Sequence, residues 1–172
     1  MDRQTLLTIT PQGFYCPVGD FYVDPWQSVP RAVVTHAHSD HCVWGCESYF
    51  VTQAGETVFR VRLGADAAIQ TLPYGQATTI NGVRVSFHPA GHILGSAQVR
   101  LEYHGEILVI SGDYKAQPDS TCAPLEIVPC HHFITEATFA LPIYQWQPSE
   151  QVIHQVNGWW AANAENGKAS IL

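Results

Sequence analysis

The chain has 172 residues, 46% of them hydrophobic, enough for one packed domain or one domain with part of another, and too few for two of ordinary size. Fifteen acidic against eight basic residues give a formal charge of −7, which excludes a protein that grips nucleic acid mainly through a basic surface, because that mode needs many phosphate-neutralising cations. An anionic substrate would have to find its positive charge in bound divalent metals.

Five cysteines, Cys16, Cys42, Cys46, Cys122 and Cys130, are odd in number and form no paired framework, so reduced thiols and a cytoplasmic setting are expected. The opening residues lack a basic segment followed by an apolar one, and no run approaches the ~20 apolar residues of a membrane span. No membrane partner is expected.

Short apolar segments punctuated by turn residues predict strands over 6–10, 13–16, 21–24, 32–35, 49–52, 83–88, 97–103, 106–111 and 132–135. Asn81-Gly82 predicts a hairpin turn joining residues 78–80 to 83–85, and His104-Gly105 another. Between Gly55 and Gly64 the spacing of Thr57, Val58 and Val61 predicts a short helix with Arg60 and Arg62 on its wet side. A second helix is predicted from Pro148-Ser149-Glu150, with Ser149 as N-cap, to about Asn163. Val152, Ile153, Val156, Trp159 and Trp160 fall at helical spacing there and read as core. Asn166-Gly167 would end that helix, and Ala169-Ser170-Ile171-Leu172 reads as the opening of a buried strand.

The chemistry concentrates in Thr35-His36-Ala37-His38-Ser39-Asp40-His41, directly after the apolar run Ala32-Val33-Val34. At the end of an extended segment, residues two apart point the same way, so His36 and His38 can offer imidazoles to one metal. Asp40 and His41 can diverge toward a second, in a mixed nitrogen and oxygen ligation that zinc, manganese or iron accepts. Pro89-Ala90-Gly91-His92 follows one predicted strand and could swing His92 in as a third ligand. Ser111-Gly112-Asp113 closes another and puts a carboxylate at the strand's exit, where it could bridge two ions. Cys42 and Cys46 read as buried thiols, Lys115 as a solvated lysine, and His88, His104, His131 and His132 as ordinary polar residues.

The order His-x-His-x-Asp-His, Ala-Gly-His, Ser-Gly-Asp resembles the metallo-β-lactamase superfamily. Ala90-Gly91-His92-Ile93-Leu94-Gly95-Ser96-Ala97, Ser111-Gly112-Asp113-Tyr114 and Phe133-Ile134-Thr135-Glu136-Ala137-Thr138-Phe139 narrow the likeness to its β-CASP nuclease branch. Asp24-Pro25-Trp26 and the Thr-Glu-Ala-Thr-Phe stretch are most similar to bacterial ligase-associated DNA exonucleases, also described as mRNA 3′-end-processing-like factors. The resemblance implies an α+β fold, an αβ/βα sandwich of which this chain is the N-terminal part over 1–142, with a β-CASP cap beginning over 143–172. It implies two divalent ions, zinc with manganese as an alternative. His36, His38 and His92 would bind one and Asp40 and His41 the other, with Asp113 bridging. Asp24 would orient the ligand loop. Glu136 would position a proton-donating histidine, so Asp40, Asp113 and Glu136 are the expected catalytic residues.

The implied activity is phosphodiester hydrolysis, as a DNA exonuclease of repair functionally linked to a DNA ligase. RNA processing, small-molecule hydrolysis of a lactam or thioester, and a truncated metal-binding module without turnover are the alternatives. The last arises because the family's later histidines, a proton donor and a last metal ligand, find no matching motif after residue 142, and His154 fits neither role.

Overall fold

The computed structural model describes residues 5–118 and 120–164. By its internal contacts the chain divides after Glu136 into two compact units.

The first unit is α+β, with two mixed sheets. One has the order β1-β2-β3-β4-β5-β6, from Thr8–Thr10, Gly13–Cys16, Phe21–Val23, Arg31–Val33, Ser48–Thr52 and Ile69–Leu72. Its first three strands are antiparallel and the rest parallel. The other has the order β11-β10-β9-β8-β7, from His132–Ile134, Glu106–Ile110, Ala97–Tyr103, Val83–Pro89 and Ala77–Ile80, with only β11 and β10 parallel. Phe21, Val23 and Val33 of the first sheet share one buried cluster with Val85, Phe87, Val99, Leu101 and Ile110 of the second, so the sheets pack face to face. Ala32, Val34, Tyr49 and Val51 bury the opposite face of the first sheet against Phe59 and Leu63 of helix α1, Glu56–Leu63. A parallel strand covered on both sides must be apolar at every position. This is why residues 32–34 read as a continuous run.

The expected hairpins at Asn81-Gly82 and His104-Gly105 form, with all four residues at positive φ. Two strands had no expectation at full length: β6, whose four residues carry too little pattern, and β7, expected only over 78–80. The expected strand over 32–35 stops at Val33, because Thr35 is drawn off by side-chain bonds at the site. Helix α1 is rotated from the expected face. Phe59 and Leu63, one turn apart, are buried while Val61 is 83% exposed, since the phenyl and isobutyl groups hide more apolar surface. Arg60 pairs with Glu56 across a turn, as a wet residue would, but Arg62 is half-buried and its Nε lacks a hydrogen-bond partner.

In the second unit, helix α2 spans Ser149–Ala164, close to the expected bounds, but Ser149 is its first helical residue and not its N-cap, since the amides of Gln151 and Val152 donate to Pro148 O. The expectation that its apolar residues form core fails: Val152, Ile153, Val156, Trp159 and Trp160 are all exposed among the described residues. Helical spacing makes an apolar stripe but does not supply what covers it. Phe139 meets Tyr144 and Trp146 edge-on, both at 5.1 Å between ring centres. The expected helix stop at Asn166-Gly167 and the strand over 169–172 lie outside the described residues.

Candidate metal centre

Four chain segments reach the site by leaving a sheet at one edge. Asp24 follows β3, Thr35 to His41 follow β4, Ala90 to His92 follow β8, and Ser111 to Asp113 follow β10. The sheets are tied together there: the Ala97 amide donates to Thr35 O at 2.8 Å and the Thr52 hydroxyl donates to Gly95 O at 2.7 Å. Two glycines are required by this crowding. At Gly112, φ +55°, a Cβ would lie 2.6 Å from Thr35 Oγ1, and at Gly91, φ +74°, it would lie 2.5 Å from the Lys115 carbonyl oxygen.

His36, His38, His92 and Asp113 each bring one ligand atom within 4.8 Å of all the others. His38 Nδ1 is 3.0 Å from His36 Nε2 and 3.2 Å from His92 Nε2. Asp113 Oδ2 is 3.8 Å from His36 Nε2 and 3.6 Å from His92 Nε2. Ligands ~2.0–2.1 Å from a tetrahedral ion stand about 3.3 Å apart, so three imidazole nitrogens and a carboxylate oxygen at these separations fit a zinc-like ion. The other Asp113 oxygen, Oδ1, lies 3.3 Å from His41 Nε2, which is 3.7 Å from Asp40 Oδ2. Thus Asp113 straddles two histidine sets, with one oxygen toward each. Asp40 and His41 stand outside the tight group of four. The two imidazoles of the His-Ala-His segment are delivered by a turn in which the His38 carbonyl accepts from the amides of His41 and Cys42, not along a pleat. They use different ring nitrogens, which residue spacing could not indicate.

Asp24 holds the ligand loop from below. Only 8% exposed and at φ +44°, it accepts from the Thr35 amide at 2.8 Å, the Thr35 hydroxyl at 2.6 Å and His41 Nδ1 at 2.8 Å. The Thr35 hydroxyl spends its one proton on the carboxylate, so His36 Nδ1, 3.0 Å away, must be the donor to it. One carboxylate therefore keeps a proton on Nδ1 of both His36 and His41 and turns Nε2 of each into the site, with its lone pair free on neutral His36 and available on His41 once that ring gives up its second proton. Thr35 is the member of this relay that sequence reasoning missed; its place immediately before His36 was the only available signal.

Burial, and then the neighbouring histidines, push the His36 imidazole down to about 2, so it stays neutral and able to ligate. Burial pushes His41 down as well, but the hydrogen bond and charge of Asp24, with Asp113 and Asp40, outweigh it and raise the ring to about 9. Without a metal, His41 thus holds a proton among three carboxylates. Glu136 accepts from the Tyr114 amide at 3.2 Å, and its own amide meets Ser111 Oγ at 3.4 Å, which fixes it beside the strand exit that carries Asp113.

The remaining polar candidates lie elsewhere. His88 bonds Ser86 and Glu126, the Ile107 amide donates to His131 Nδ1, and His132 pairs with Glu106. All five cysteines are free, and burial raises the Cys42 thiol to about 12, which makes it inert as a thiolate. No helix among the described residues is long and apolar enough to cross a membrane.

No protein-family model matches the chain. It is 35% identical over 148 residues to a probable DNA ligase of Opitutus terrae, a match covering 84% of this chain and 14% of that protein. It is 32% identical over 76 residues to the endoribonuclease ysh1 of Aspergillus fumigatus, covering 42% of this chain and 9% of that protein. Zn(2+)-bound PqqB from Methylobacterium extorquens overlaps with a TM-score of 0.36 and 14% identity, over 46% of this chain and 37% of that one. The chain accordingly spans only a small part of the curated relatives it matches. The motif order, the pair of mixed sheets and the likeness to these two sequence relatives support the chain's resemblance to the metallo-β-lactamase superfamily and its β-CASP branch.

Proposed function

We propose that this chain carries the metal-binding core of a phosphodiesterase that cuts nucleic acid, with DNA digested from an end during repair as its substrate. The observation that carries the proposal is Asp113, whose oxygens face separate histidine sets 3.3 to 3.8 Å away, an arrangement suited to bridging two cations. His36, His38 and His92 would hold one ion, Asp40 and His41 the other, and Asp113 both. Three imidazoles with one carboxylate favour zinc at the first position, and the oxygen-richer second accepts manganese as well. A bound ion pair supplies Lewis-acid charge at the scissile phosphate and lowers the pKa of water toward neutrality.

The residues do the rest. Asp24 keeps His36 and His41 in the ligating tautomer through its three accepted bonds. Asp40 and Asp113 offer carboxylate oxygens that orient the attacking group. Glu136, held by the Tyr114 amide, lines the same cavity and would position the group that protonates the leaving oxygen. The net charge of −7 is no obstacle, because it is spread over the surface and screened beyond ~8–10 Å, while the ions act at the phosphate.

DNA is favoured because the relative named as a probable DNA ligase matches over 84% of the chain, twice the share matched by the endoribonuclease, and a functional link to a DNA ligase belongs to the same reading. The endoribonuclease likeness supports RNA as the second reading. Residues 1–142 would be the N-terminal part of the core and 143–172 the start of a cap, in a protein working among reduced thiols in the cytoplasm. The test is cleavage of single-stranded DNA, RNA and a chromogenic lactam by the zinc- or manganese-loaded chain. Metal-dependent release of nucleotides from a DNA end, absent in His38→Ala, is expected; turnover of the lactam alone would defeat the proposal.

A further inference from the structure

The candidate centre opens on one side into a cavity of about 270 Å³, and only the Asp40, His41 and Asp113 side of the centre lines it. Its lining combines two chemistries. Asp24, Asp40, Asp113 and Glu136 bring carboxyl groups to it, and Phe14 and Trp26 bring aromatic rings. Trp26 is 56% exposed, unusual for the largest apolar side chain, yet its backbone is held. Its amide donates to Gln12 O at 2.9 Å, and its ring stands edge-on to Phe14 with centroids 6.2 Å apart at 63°. A Cβ on Gly13 would lie 3.4 Å from the Trp26 nitrogen, so the start of β2 packs directly against this loop. The loop that carries the indole is therefore held, and the ring, edge-on to Phe14, keeps more than half of its surface uncovered.

We propose that Trp26 is a substrate-positioning residue that stacks the nucleobase next to the scissile phosphate, and that it thereby selects an unpaired nucleotide. The inference rests on the nucleic-acid reading above. The carboxylates repel an anion except where bound cations neutralise them, so the phosphate is confined to the ions and the flat, uncharged part of a nucleotide is left to the aromatic rings. The cavity lies just below the ~300–1,000 Å³ of ordinary small-ligand pockets, which suits one nucleotide unit and not a duplex. A base inside a duplex already has both faces stacked, so only a single-stranded or frayed residue can offer a free face to the indole. Such stacking is tolerant of sequence, because every base has a π-face.

The test measures binding, with cleavage suppressed. Zinc-loaded wild-type protein, Trp26→Ala and Trp26→Phe are titrated by fluorescence anisotropy with a cleavage-resistant phosphorothioate thymidine oligomer and with an abasic phosphorothioate oligomer of the same length. The expected result is that wild type prefers the base-bearing oligomer by about 5- to 150-fold, the range one base–aromatic stack commands. Trp26→Ala should erase that preference while binding the abasic oligomer as wild type does, and Trp26→Phe should keep most of it. Equal binding of the two oligomers by wild type, or a preference that survives in Trp26→Ala, overturns the inference. So does an equal loss on both oligomers in Trp26→Ala, which marks the ring as structural. Wild type that hydrolyses bis(p-nitrophenyl) phosphate yet binds neither oligomer sinks the nucleic-acid reading itself, a distinguishable failure.

Discussion

Replacing Asp24 by Asn changes one oxygen to an NH2 group in a buried position where all three neighbours are donors: the Thr35 amide, the Thr35 hydroxyl and His41 Nδ1. An aspartate accepts from all of them. In either orientation an asparagine amide sets its NH2 against a donor, against the Thr35 amide in one and against the Thr35 hydroxyl and His41 in the other. One or two hydrogen bonds to a charged acceptor are lost, each worth about 1.5–3 kcal/mol, so the metal-free fold should weaken by about 2–5 kcal/mol. That is a large fraction of the ~5–15 kcal/mol of a typical domain. If His41 answers by moving its proton to Nε2, the lone pair leaves the site, and affinity for the second ion should fall by about 10–100-fold. Urea denaturation of the chelated protein measures the first effect, and zinc titration against a chromophoric competitor the second. A stability change under ~1 kcal/mol with unchanged uptake of both ions would refute the view that this carboxylate sets the tautomers.

His38 is exposed and His36 is 1% exposed, so their alanine variants should separate ligation from folding. His38→Ala should leave stability within ~0.5 kcal/mol, whereas His36→Ala should cost more than ~1 kcal/mol; both should lose the first ion by elemental analysis. Gly112→Ala puts a methyl 2.6 Å from Thr35 Oγ1 at φ +55°; a lower melting temperature is expected, with ~1–2 kcal/mol from the backbone alone, together with reduced metal uptake. The proton on His41 stabilises the metal-free fold fully below pH 6.5, and that contribution is lost as pH rises through about 9. An ion at the second position needs the same nitrogen. Its apparent affinity should therefore climb about tenfold per pH unit from 6.5 until about 9, with proton release in calorimetry run in buffers of different ionisation enthalpy.

The ligand types, their order and the strands that deliver them were legible because each carries a local signature. An apolar run ends in a polar ligand at His36, at His92 and at Asp113, and a positive-φ turn pair marks two hairpins. Shorter or shared patterns were not legible. Four-residue β6 has no periodicity to display, and α1 had two apolar faces of similar strength until packing chose Phe59 and Leu63. The apolar stripe of α2 was correctly placed on a helix and wrongly placed in a core, because a stripe reports a face and says nothing about its cover.

The amino-acid order alone determined which side chains could bind metal, and in which segments, since ligand chemistry belongs to the residue and strand exits are written in local hydrophobicity. Only the tertiary structure decided which nitrogen of each imidazole faces inward, that Thr35 relays Asp24 to His36, that the two oxygens of Asp113 are shared between histidine sets, and that Trp26 lines the cavity beside them. Those facts depend on distances between residues remote in the chain. Such distances come from the packing of two sheets, which no local pattern encodes.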